Sequence, residues 1–276
     1  MSYVELHASS AFSFLRGGSF PEQLAEVAAE LEMPAIALCD RDGVYGAQRF
    51  SVAAREHGMR PFVGAELSME EDAILPVLVQ NRTGYKNLCE LLTRAHLRSE
   101  KGKCAVKWDE LSEFAEGLVA FFGLGSTRGS RVASGGSPDA GCLRRAAANG
   151  TPAACAPQTC EKRAKFLIDA FGRENLFVEI QRHFLRGEEK LNRQLVDLAR
   201  ANGLSLIATN GVQYAKPYGR EVLDVFTCIR KYTHLDAAGK LLTQNAERHL
   251  KSDREMRAIF ADLPEAIDNT DRKSVV

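Results

Sequence analysis

The feature that most constrains the fold is a regular alternation of short apolar runs with longer amphipathic segments. The apolar runs have the length of strands, and the amphipathic segments carry apolar residues at helical spacing. The predicted strands are 3–7, 35–39, 60–69, 75–80, 117–123, 176–181 and 205–210, and the predicted helices are 19–32, 47–57, 84–98, 161–172, 188–202 and 218–232. Strand–helix units with short connections predict an α/β domain with a parallel sheet, and about seven units fit a barrel better than an open sheet.

Composition and charge limit the class of protein. The 276 residues are 45% hydrophobic and 26% charged, which is enough apolar material for a sizeable core. With 36 Lys+Arg against 36 Asp+Glu, a generally basic nucleic-acid-binding surface is not indicated. No apolar run reaches the roughly 18 residues of a membrane span, and the start of the sequence lacks a signal-peptide pattern. The 7 cysteines form no CxxC pair, so we expect a reduced cytoplasmic protein without a membrane partner.

Polar residues follow several of the predicted strands. His7, Asp40, Glu66, His183 and Asn210 fall at the C-terminal ends of strands, where the working residues of α/β barrels lie. Imidazoles and carboxylates that meet at one barrel mouth are the ligands of a hydrolytic divalent-metal site. Glu179, in the same short segment as His183, is a further carboxylate candidate, and we therefore expect these side chains to converge.

Each of these residues also has a purely structural interpretation. A single strand-end histidine such as His7 is more often a hydrogen-bonded residue than a ligand. Asp40 and Asp42 fit the chemistry of a turn as well as they fit metal binding. Glu66 is harder to dismiss, because a carboxylate in an otherwise apolar strand needs a partner. His183 lies in a charged stretch, and we expect it to be exposed unless it binds a ligand.

Eight segments of the sequence resemble, in order, the motifs of the PHP (polymerase and histidinol phosphatase) domain family. They are YVELHASSAFSFLRGGSFPEQL, ALCDRDGVYGAQRF, FVGAEL, YKNLCELLTRAHL, VEIQRHF, IATNGVQYA, DVFTCIR and ERHLKSDREMRAIFADLPEAIDNT. More closely, the sequence resembles the N-terminal PHP domain of bacterial C-family DNA polymerases of the error-prone type, related to the DNA polymerase III alpha subunit. The resemblance covers nearly the whole chain except 125–160 and the last few residues, and it implies a distorted (β/α)7 barrel.

The chain departs from the family's metal-binding pattern at several positions. Ser9 stands where the family has a second histidine, and Arg16 stands where it often has an aspartate. Arg41 replaces the histidine of the family's Asp-His-Asp-Gly run, and Gly211 and Gln213 replace a late aspartate and histidine. The resemblance thus implies that much of the ligand set is lost.

Arginines at former ligand positions suggest what replaces the metal. The family's ligand positions that remain, as a vestigial metal site, are His7, Asp40, Asp42, Glu66 and His183. An arginine cannot ligate a cation, but it pairs well with carboxylates. We hypothesise that Arg16 and Arg41 pair with these acids and stand in for the ion. We expect no catalytic residue and no cofactor in this chain, although the family holds divalent metal in the PHP site.

The sequence divides into two parts of one domain with two atypical segments. Residues 1–124 and 161–270 form the first and second parts of the PHP domain, and 271–276 read as a truncated or frame-shifted tail that does not continue a helix. The segment 125–160 holds two large aliphatic residues, one carboxylate and three cysteines. Two interpretations stay open, a flexible surface loop and an out-of-frame translation of GC-rich DNA, whereas the cysteine spacing fits no zinc site.

The resemblance implies a parent DNA-directed DNA polymerase, a nucleotidyltransferase of DNA replication and damage-tolerant repair synthesis. Its reaction needs paired carboxylates that hold Mg²⁺ in a palm domain beyond the PHP domain. The only Asp-x-Asp here, Asp40-Arg41-Asp42, belongs to the PHP motif, so we expect this chain to lack the palm. Its expected partners are the palm and thumb and, through the full-length polymerase, DNA. We also expect an exposed apolar patch where the palm docks.

Two other functions remain as alternatives. One is a metal-dependent PHP phosphoesterase or 3′–5′ exonuclease, and the other is a small-molecule phosphatase of the histidinol-phosphate type. The substituted ligand positions argue against both.

Overall fold

The computed structural model describes residues 2–123 and 157–273. Within them, seven strands form one sheet in the order β1-β2-β3-β4-β5-β6-β7. The strands are β1 (Glu5–Ala8), β2 (Ala35–Arg41), β3 (Arg60–Ser68), β4 (Ile74–Val79), β5 (Leu118–Phe122), β6 (Leu176–Ile180) and β7 (Ser205–Ala208). All seven lie within two residues of the predicted positions.

The helices cover the outside of the sheet. They are α1 (Pro21–Glu30), α2 (Ala47–Glu56), α3 (Arg82–Arg98), α4 (Leu111–Phe114), α5 (Pro157–Phe171), α6 (Glu188–Asn202), α7 (Gly219–Lys231), α8 (Leu235–Ala238), α9 (Asp253–Ile259) and α10 (Pro264–Lys273). Short 3₁₀ turns lie at Glu70–Asp72, Trp108–Glu110, Arg173–Asn175 and Gly239–Leu241. Within the described ranges, no helix combines the length and the hydropathy needed to cross a membrane.

The prediction of an all-parallel sheet is wrong for one strand. β4 runs antiparallel to both β3 and β5, whereas the other neighbours are parallel. Between β3 and β4 lies only a short connection with the 3₁₀ turn Glu70–Asp72. A parallel crossover needs about a dozen residues or more, so this connection can only form a hairpin.

The sheet curls until its two ends meet. The chain after β7 lies beside β1, where Ser9 N donates to Val212 O at 2.8 Å and Val212 N donates to His7 O at 2.9 Å. Ala8 and Val212 form an isolated parallel bridge at the same place. The predicted distorted barrel of seven strands is therefore confirmed.

The barrel is filled below its mouth. Along β2, Ala35, Ala37 and Cys39 belong to an inner apolar cluster, whereas Ile36 and Leu38 pack in the outer cluster under the helices. Both faces of the strand are buried, which explains its continuous apolar run. The polar groups at the mouth therefore stand on an apolar floor rather than over an open channel.

Two of the predicted segments, 125–160 and 271–276, lie partly outside the described residues. Of the segment 125–160, only 157–160 are described, and they form the start of α5, four residues before the predicted helix start. Residues 271–273 end α10, so the expectation that the tail does not continue a helix is wrong for those three. The two interpretations of the remainder of 125–160 lie outside the described residues.

Candidate functional site at the barrel mouth

His7 lies between two carboxylates at the mouth. Its Nδ1 is 2.6 Å from Glu179 Oε1, and its Nε2 is 2.7 Å from Glu66 Oε1. A bulge in β1, where Glu5 and Ala8 pair with Ile36 and Leu38, changes the register next to this residue. Bulges of this kind re-aim side chains near sites.

The two carboxylates hold the His7 ring in its protonated form. Burial alone lowers the pKa of His7, but Glu179 and then Glu66 outweigh it and raise the pKa to about 10. For Glu179, burial alone would raise the pKa. The charge of His7 and the hydrogen bonds from His7, Thr209 and Gln181 outweigh burial and bring the pKa of Glu179 below its ordinary value. A ring that donates from both nitrogens has no lone pair for a metal ion.

Arg41 adds the second cation. Its Nε donates to Glu66 Oε2 at 2.8 Å, and its Nη1 donates to Ser68 Oγ at 3.3 Å. Burial would raise the pKa of Glu66, but Arg41 and His7 hold it well below its usual range. The structure thus contains the arginine–carboxylate pair hypothesised from the sequence. We call His7, Arg41, Glu66 and Glu179 the mouth cluster.

Asp40 has different partners, so the hypothesis that arginine pairs with it is wrong. Successive residues of a strand point to opposite faces, which sends Asp40 outward where Arg41 points inward. Asp40 Oδ1 accepts from Ser10 N at 2.7 Å and from Ser13 Oγ at 2.8 Å. The carboxyl is buried, and burial raises its pKa despite these hydrogen bonds.

Asp42 is bound by one serine of the neighbouring strand. Its Oδ1 accepts from Ser68 N at 2.7 Å, and its Oδ2 accepts from Ser68 Oγ at 2.7 Å. Burial raises the pKa of Asp42, while Ser68 and the nearby Arg41 oppose that rise. The turn interpretation accounts for this residue, whose φ is +54°.

His183 is buried, and the expectation that it is exposed is wrong. Its side chain is 1% exposed, with Nδ1 3.0 Å from Glu188 Oε1 and Nε2 2.8 Å from Asn210 O. Glu188 Oε2 also accepts from the His183 backbone N at 2.7 Å. Burial and the charge of Arg248 lower the pKa of His183. Both ring nitrogens are engaged within the protein.

Two of the substituted positions serve to close the barrel. Ser9 Oγ donates to Val212 O at 3.1 Å, beside the backbone contacts that join β1 to the chain after β7. Gln213 O accepts from Gly18 N at 2.6 Å. The Ser9 side chain therefore makes a hydrogen bond of the barrel closure where the family has a ligand, and Gln213 contributes a main-chain acceptor there.

The third substituted position, Gly211, is crowded by two polar side chains. Its φ is +53°, and a Cβ there would lie 2.6 Å from Gln181 Nε2 and 2.9 Å from Arg248 Nη1. Arg248 Nη1 also donates to Gly211 O at 3.2 Å. Arg248 thus occupies the space next to Gly211, where the family has an aspartate.

Arg16 does not pair with the acids, contrary to the hypothesis. It is exposed, and among the described residues its guanidinium has no hydrogen-bond or ion-pair partner. Partial burial and the charges of Arg41 and Arg230 lower its pKa, while Glu66 and Asp42 oppose this.

Several residues of the site were given no role from the sequence. Glu5, Gln181 and Arg248 all contribute contacts at the mouth. Glu5 is fully buried, and its carboxylate accepts from Tyr3 Oη at 2.6 Å and from the backbone N of His7 and of Asn210. The argument applied to Glu66, that a carboxylate in an apolar strand needs a partner, would also have found Glu5. Nothing in the sequence marks Arg248.

The donor set at the mouth does not fit a divalent metal ion. Within the described residues, no three His, Cys, Asp or Glu side chains are grouped so that they could hold one. The His7 ring bonds to two carboxylates, and a guanidinium occupies one face of Glu66. No chemical step through a metal follows from this arrangement.

Comparison with known proteins gives the family. The chain is 37% identical over 276 residues to the error-prone DNA polymerase of Mycolicibacterium paratuberculosis, covering 96% of this chain and 24% of that protein. It is 35% identical over 280 residues to the error-prone DNA polymerase of Anaeromyxobacter sp. (strain K), covering 96% and 22%. The chain therefore spans about a quarter of the length of these relatives.

A solved structure and a family model complete the comparison. An amidohydrolase from Chromobacterium violaceum is similar with a TM-score of 0.47 and 13% identity, covering 77% of this chain and 87% of that one. The model of the PHP domain matches residues 5–183, more than half of the 276. The chain belongs to the PHP domain family.

Proposed function

We propose that the chain is the N-terminal PHP module of an error-prone DNA-directed DNA polymerase. The parent enzyme would act in DNA replication and in damage-tolerant repair synthesis in the cytoplasm, and it would meet DNA through its other domains. The similarity to error-prone polymerases over 96% of the chain supports this assignment. The module itself would be non-catalytic and would hold no resident metal.

The observation that carries the non-catalytic role is the ion pairing inside the mouth cluster. The cations of His7 and Arg41 face the carboxylates of Glu66 and Glu179 at 2.6–2.8 Å. The buried charges are therefore compensated by side chains, as buried charges must be. A divalent ion would have to displace Arg41 and deprotonate His7.

An apolar stripe on α7 supports a packing role for the module. Tyr218, Val222, Val225, Ile229 and Tyr232 are all exposed. The spacing of three and four residues places Val222, Val225 and Ile229 on one helix face, whereas Tyr218 directly precedes α7 and Tyr232 directly follows it at a φ of +52°. The opposite face packs on the barrel through Leu223 and Cys228. We assign this stripe to contact with the palm and thumb of the longer polymerase.

The non-catalytic role is tested by activity assays on the purified chain. p-Nitrophenyl phosphate and 3′-labelled single-stranded DNA are offered with Mn²⁺ or Zn²⁺, and elemental analysis measures bound metal. We expect no turnover and no stoichiometric metal. Turnover that is lost in both His7→Ala and Glu66→Ala would overturn the proposal.

The polymerase assignment has a separate test in the genome. The DNA that follows the codon for Val276 is read in all frames for a palm with an Asp-x-Asp motif. We expect such a palm, and a downstream region without one in any frame would contradict the assignment.

The alternative is a metal-dependent PHP phosphoesterase or 3′–5′ exonuclease. One observation favours it, which is that His7, Glu66 and Glu179 still meet within hydrogen-bonding distance at the mouth. The activity assays above distinguish it from the non-catalytic module, because only the alternative predicts turnover that depends on these side chains.

A further inference from the structure

An open cavity lies at the end of the barrel opposite the mouth. It has a volume of about 630 Å³ and is lined by the start of β3, the end of β4 and the first turn of α3. β3 and β4 are antiparallel, so the start of one meets the end of the other. Glu66 of the mouth cluster lies six residues beyond Arg60 along β3, which is about 20 Å in a strand. The cavity is therefore separate from the mouth.

Two aromatic rings give this cavity flat surfaces. Phe62 of β3 is half-buried and packs against the apolar cluster inside the barrel, which fixes its position. The Arg60 guanidinium lies over the Phe62 ring, with Cζ 5.3 Å from the ring centroid. Tyr85 of α3 lines the cavity as well and is 43% exposed. Aromatic rings and guanidinium planes are the surfaces on which nucleic-acid bases stack.

The cavity carries positive charge that its own lining does not compensate. Arg60 and Arg82 both line it, and among the residues that the structure describes no acidic side chain does so. Within the same residues, neither guanidinium has a carboxylate partner. Arg94, further along α3, is by contrast paired with Glu113. A concave surface with uncompensated charge of one sign attracts a ligand of the opposite sign, so the charge of the cavity favours an anion.

Two amide side chains in the lining provide both kinds of hydrogen-bonding group. Gln80 Nε2 donates to Asn175 Oδ1 at 3.1 Å, which leaves Gln80 Oε1 as an acceptor. Asn81 Oδ1 accepts from Gly84 N at 3.0 Å, which leaves Asn81 Nδ2 as a donor. An acceptor beside a donor is the combination that hydrogen-bonds to the edge of a base.

We propose that this cavity binds a nucleotide. The base stacks against Tyr85 and the Arg60–Phe62 pair, and the phosphate binds the guanidinium groups of Arg60 and Arg82. A guanidinium that stacks through its face still donates hydrogen bonds from its edge. The volume of the cavity is in the range of small-molecule sites. The site goes beyond the proposed packing role, because it uses neither the mouth cluster nor the stripe on α7.

Binding is measured by calorimetry on the whole chain in EDTA, so that no metal contributes. The probes are dAMP, deoxyadenosine, inorganic phosphate, a short oligodeoxyadenylate and a glutamate-rich peptide, all at equal ionic strength. We expect dAMP to bind more tightly than deoxyadenosine or phosphate, because only dAMP carries both a base and a phosphate. Tighter binding of the oligonucleotide per nucleotide assigns the ligand to a single strand, and tighter binding of dAMP assigns it to the free nucleotide.

Substitutions in the lining test where the nucleotide binds. We expect Arg60→Gln/Arg82→Gln to weaken dAMP binding at least about tenfold and Tyr85→Leu to weaken it at least about fivefold. The control is Arg55→Gln, which removes an exposed arginine of α2 outside the cavity and should leave binding unchanged. Thermal unfolding verifies the fold of each variant, and all the substituted side chains are exposed.

Three results would overturn the proposal. The first is a wild-type chain that binds dAMP no better than deoxyadenosine or inorganic phosphate. The second is a double variant that binds dAMP like the wild type, which would place the nucleotide elsewhere. The third is tighter binding of the glutamate-rich peptide than of either nucleotide probe, which would assign the cavity to an acidic protein segment instead.

Discussion

His7 Nε2 and Glu66 Oε1 lie 2.7 Å apart at the barrel mouth, and the same imidazole bonds to Glu179 through its other nitrogen. Carboxylates accept hydrogen bonds from both ring nitrogens, so the ring acts as a cation between two anions. In a metal site the imidazole would instead offer a lone pair. The contact therefore marks a mouth that is held together by charge pairs among side chains.

Removal of the His7 cation should destabilise the protein strongly. In His7→Asn the carboxylates of Glu66 and Glu179 lose the charge between them, and breaking a buried pair costs about 3–5 kcal/mol. Urea unfolding measures the change in the free energy of unfolding. The matched control is His57→Asn at an exposed position, with an expected change within about 0.5 kcal/mol. Equal effects of the two substitutions would contradict the charge-pair account.

The raised pKa of His7 predicts how stability depends on pH. The folded-state pKa is about 10, against 6.5 for the free side chain. The His7 contribution is therefore complete below pH 6.5 and is lost as the pH rises towards 10. We expect the free energy of unfolding to fall across this window and to fall less steeply in His7→Asn. Parallel pH profiles of the two proteins would show that the ring is not protonated.

Restoration of the family's acid at Gly211 should not restore a metal site. In Gly211→Asp the new Cβ would meet Gln181 Nε2 at 2.6 Å and Arg248 Nη1 at 2.9 Å, with φ at +53°. We expect a loss of about 1–3 kcal/mol in the free energy of unfolding and no gain in Mn²⁺ affinity by calorimetry.

Gly203→Asp separates the backbone strain from the crowding in that experiment. Gly203 has φ +65°, and a Cβ at this position would meet nothing within 4 Å, so its substitution adds strain alone. We expect Gly203→Asp to be the milder change. A Gly211→Asp variant as stable as Gly203→Asp would show that Arg248 and Gln181 move aside at little cost.

The site was predictable from the sequence where one physical argument sufficed. A carboxylate in an apolar strand needs a partner, and an arginine at a former ligand position cannot hold a metal. These two arguments together predict that Arg41 pairs with Glu66. The same arguments placed Asp40 with an arginine, but the alternation of β2 turns its side chain outward to Ser10 and Ser13. The face of the sheet to which a single side chain points depends on the register of the strand, which the sequence alone does not give.

Other features required tertiary information. The charged stretch around His183 predicts an exposed side chain. The fold instead brings Glu188 and the Asn210 carbonyl beside His183, and its side chain is buried. The apolar run of β4 gives no direction, because parallel and antiparallel strands with both faces buried look alike in sequence. The barrel itself was predictable, since it depends on the order of strands and helices.

The apolar stripe of α7 should promote self-association of the chain without contributing to its stability. In Val222→Glu/Ile229→Glu, two exposed side chains become charged, and we expect the free energy of unfolding to change by no more than about 0.5 kcal/mol per site. Sedimentation velocity should show less association than in the wild type, because the apolar patch is interrupted. Leu223→Ala on the buried face of the same helix is the contrasting variant, with an expected loss of about 2–5 kcal/mol. If the wild-type chain and the variant are monomeric over the same range of concentrations, the stripe does not promote association. The packing role assigned to α7 would then lose its support.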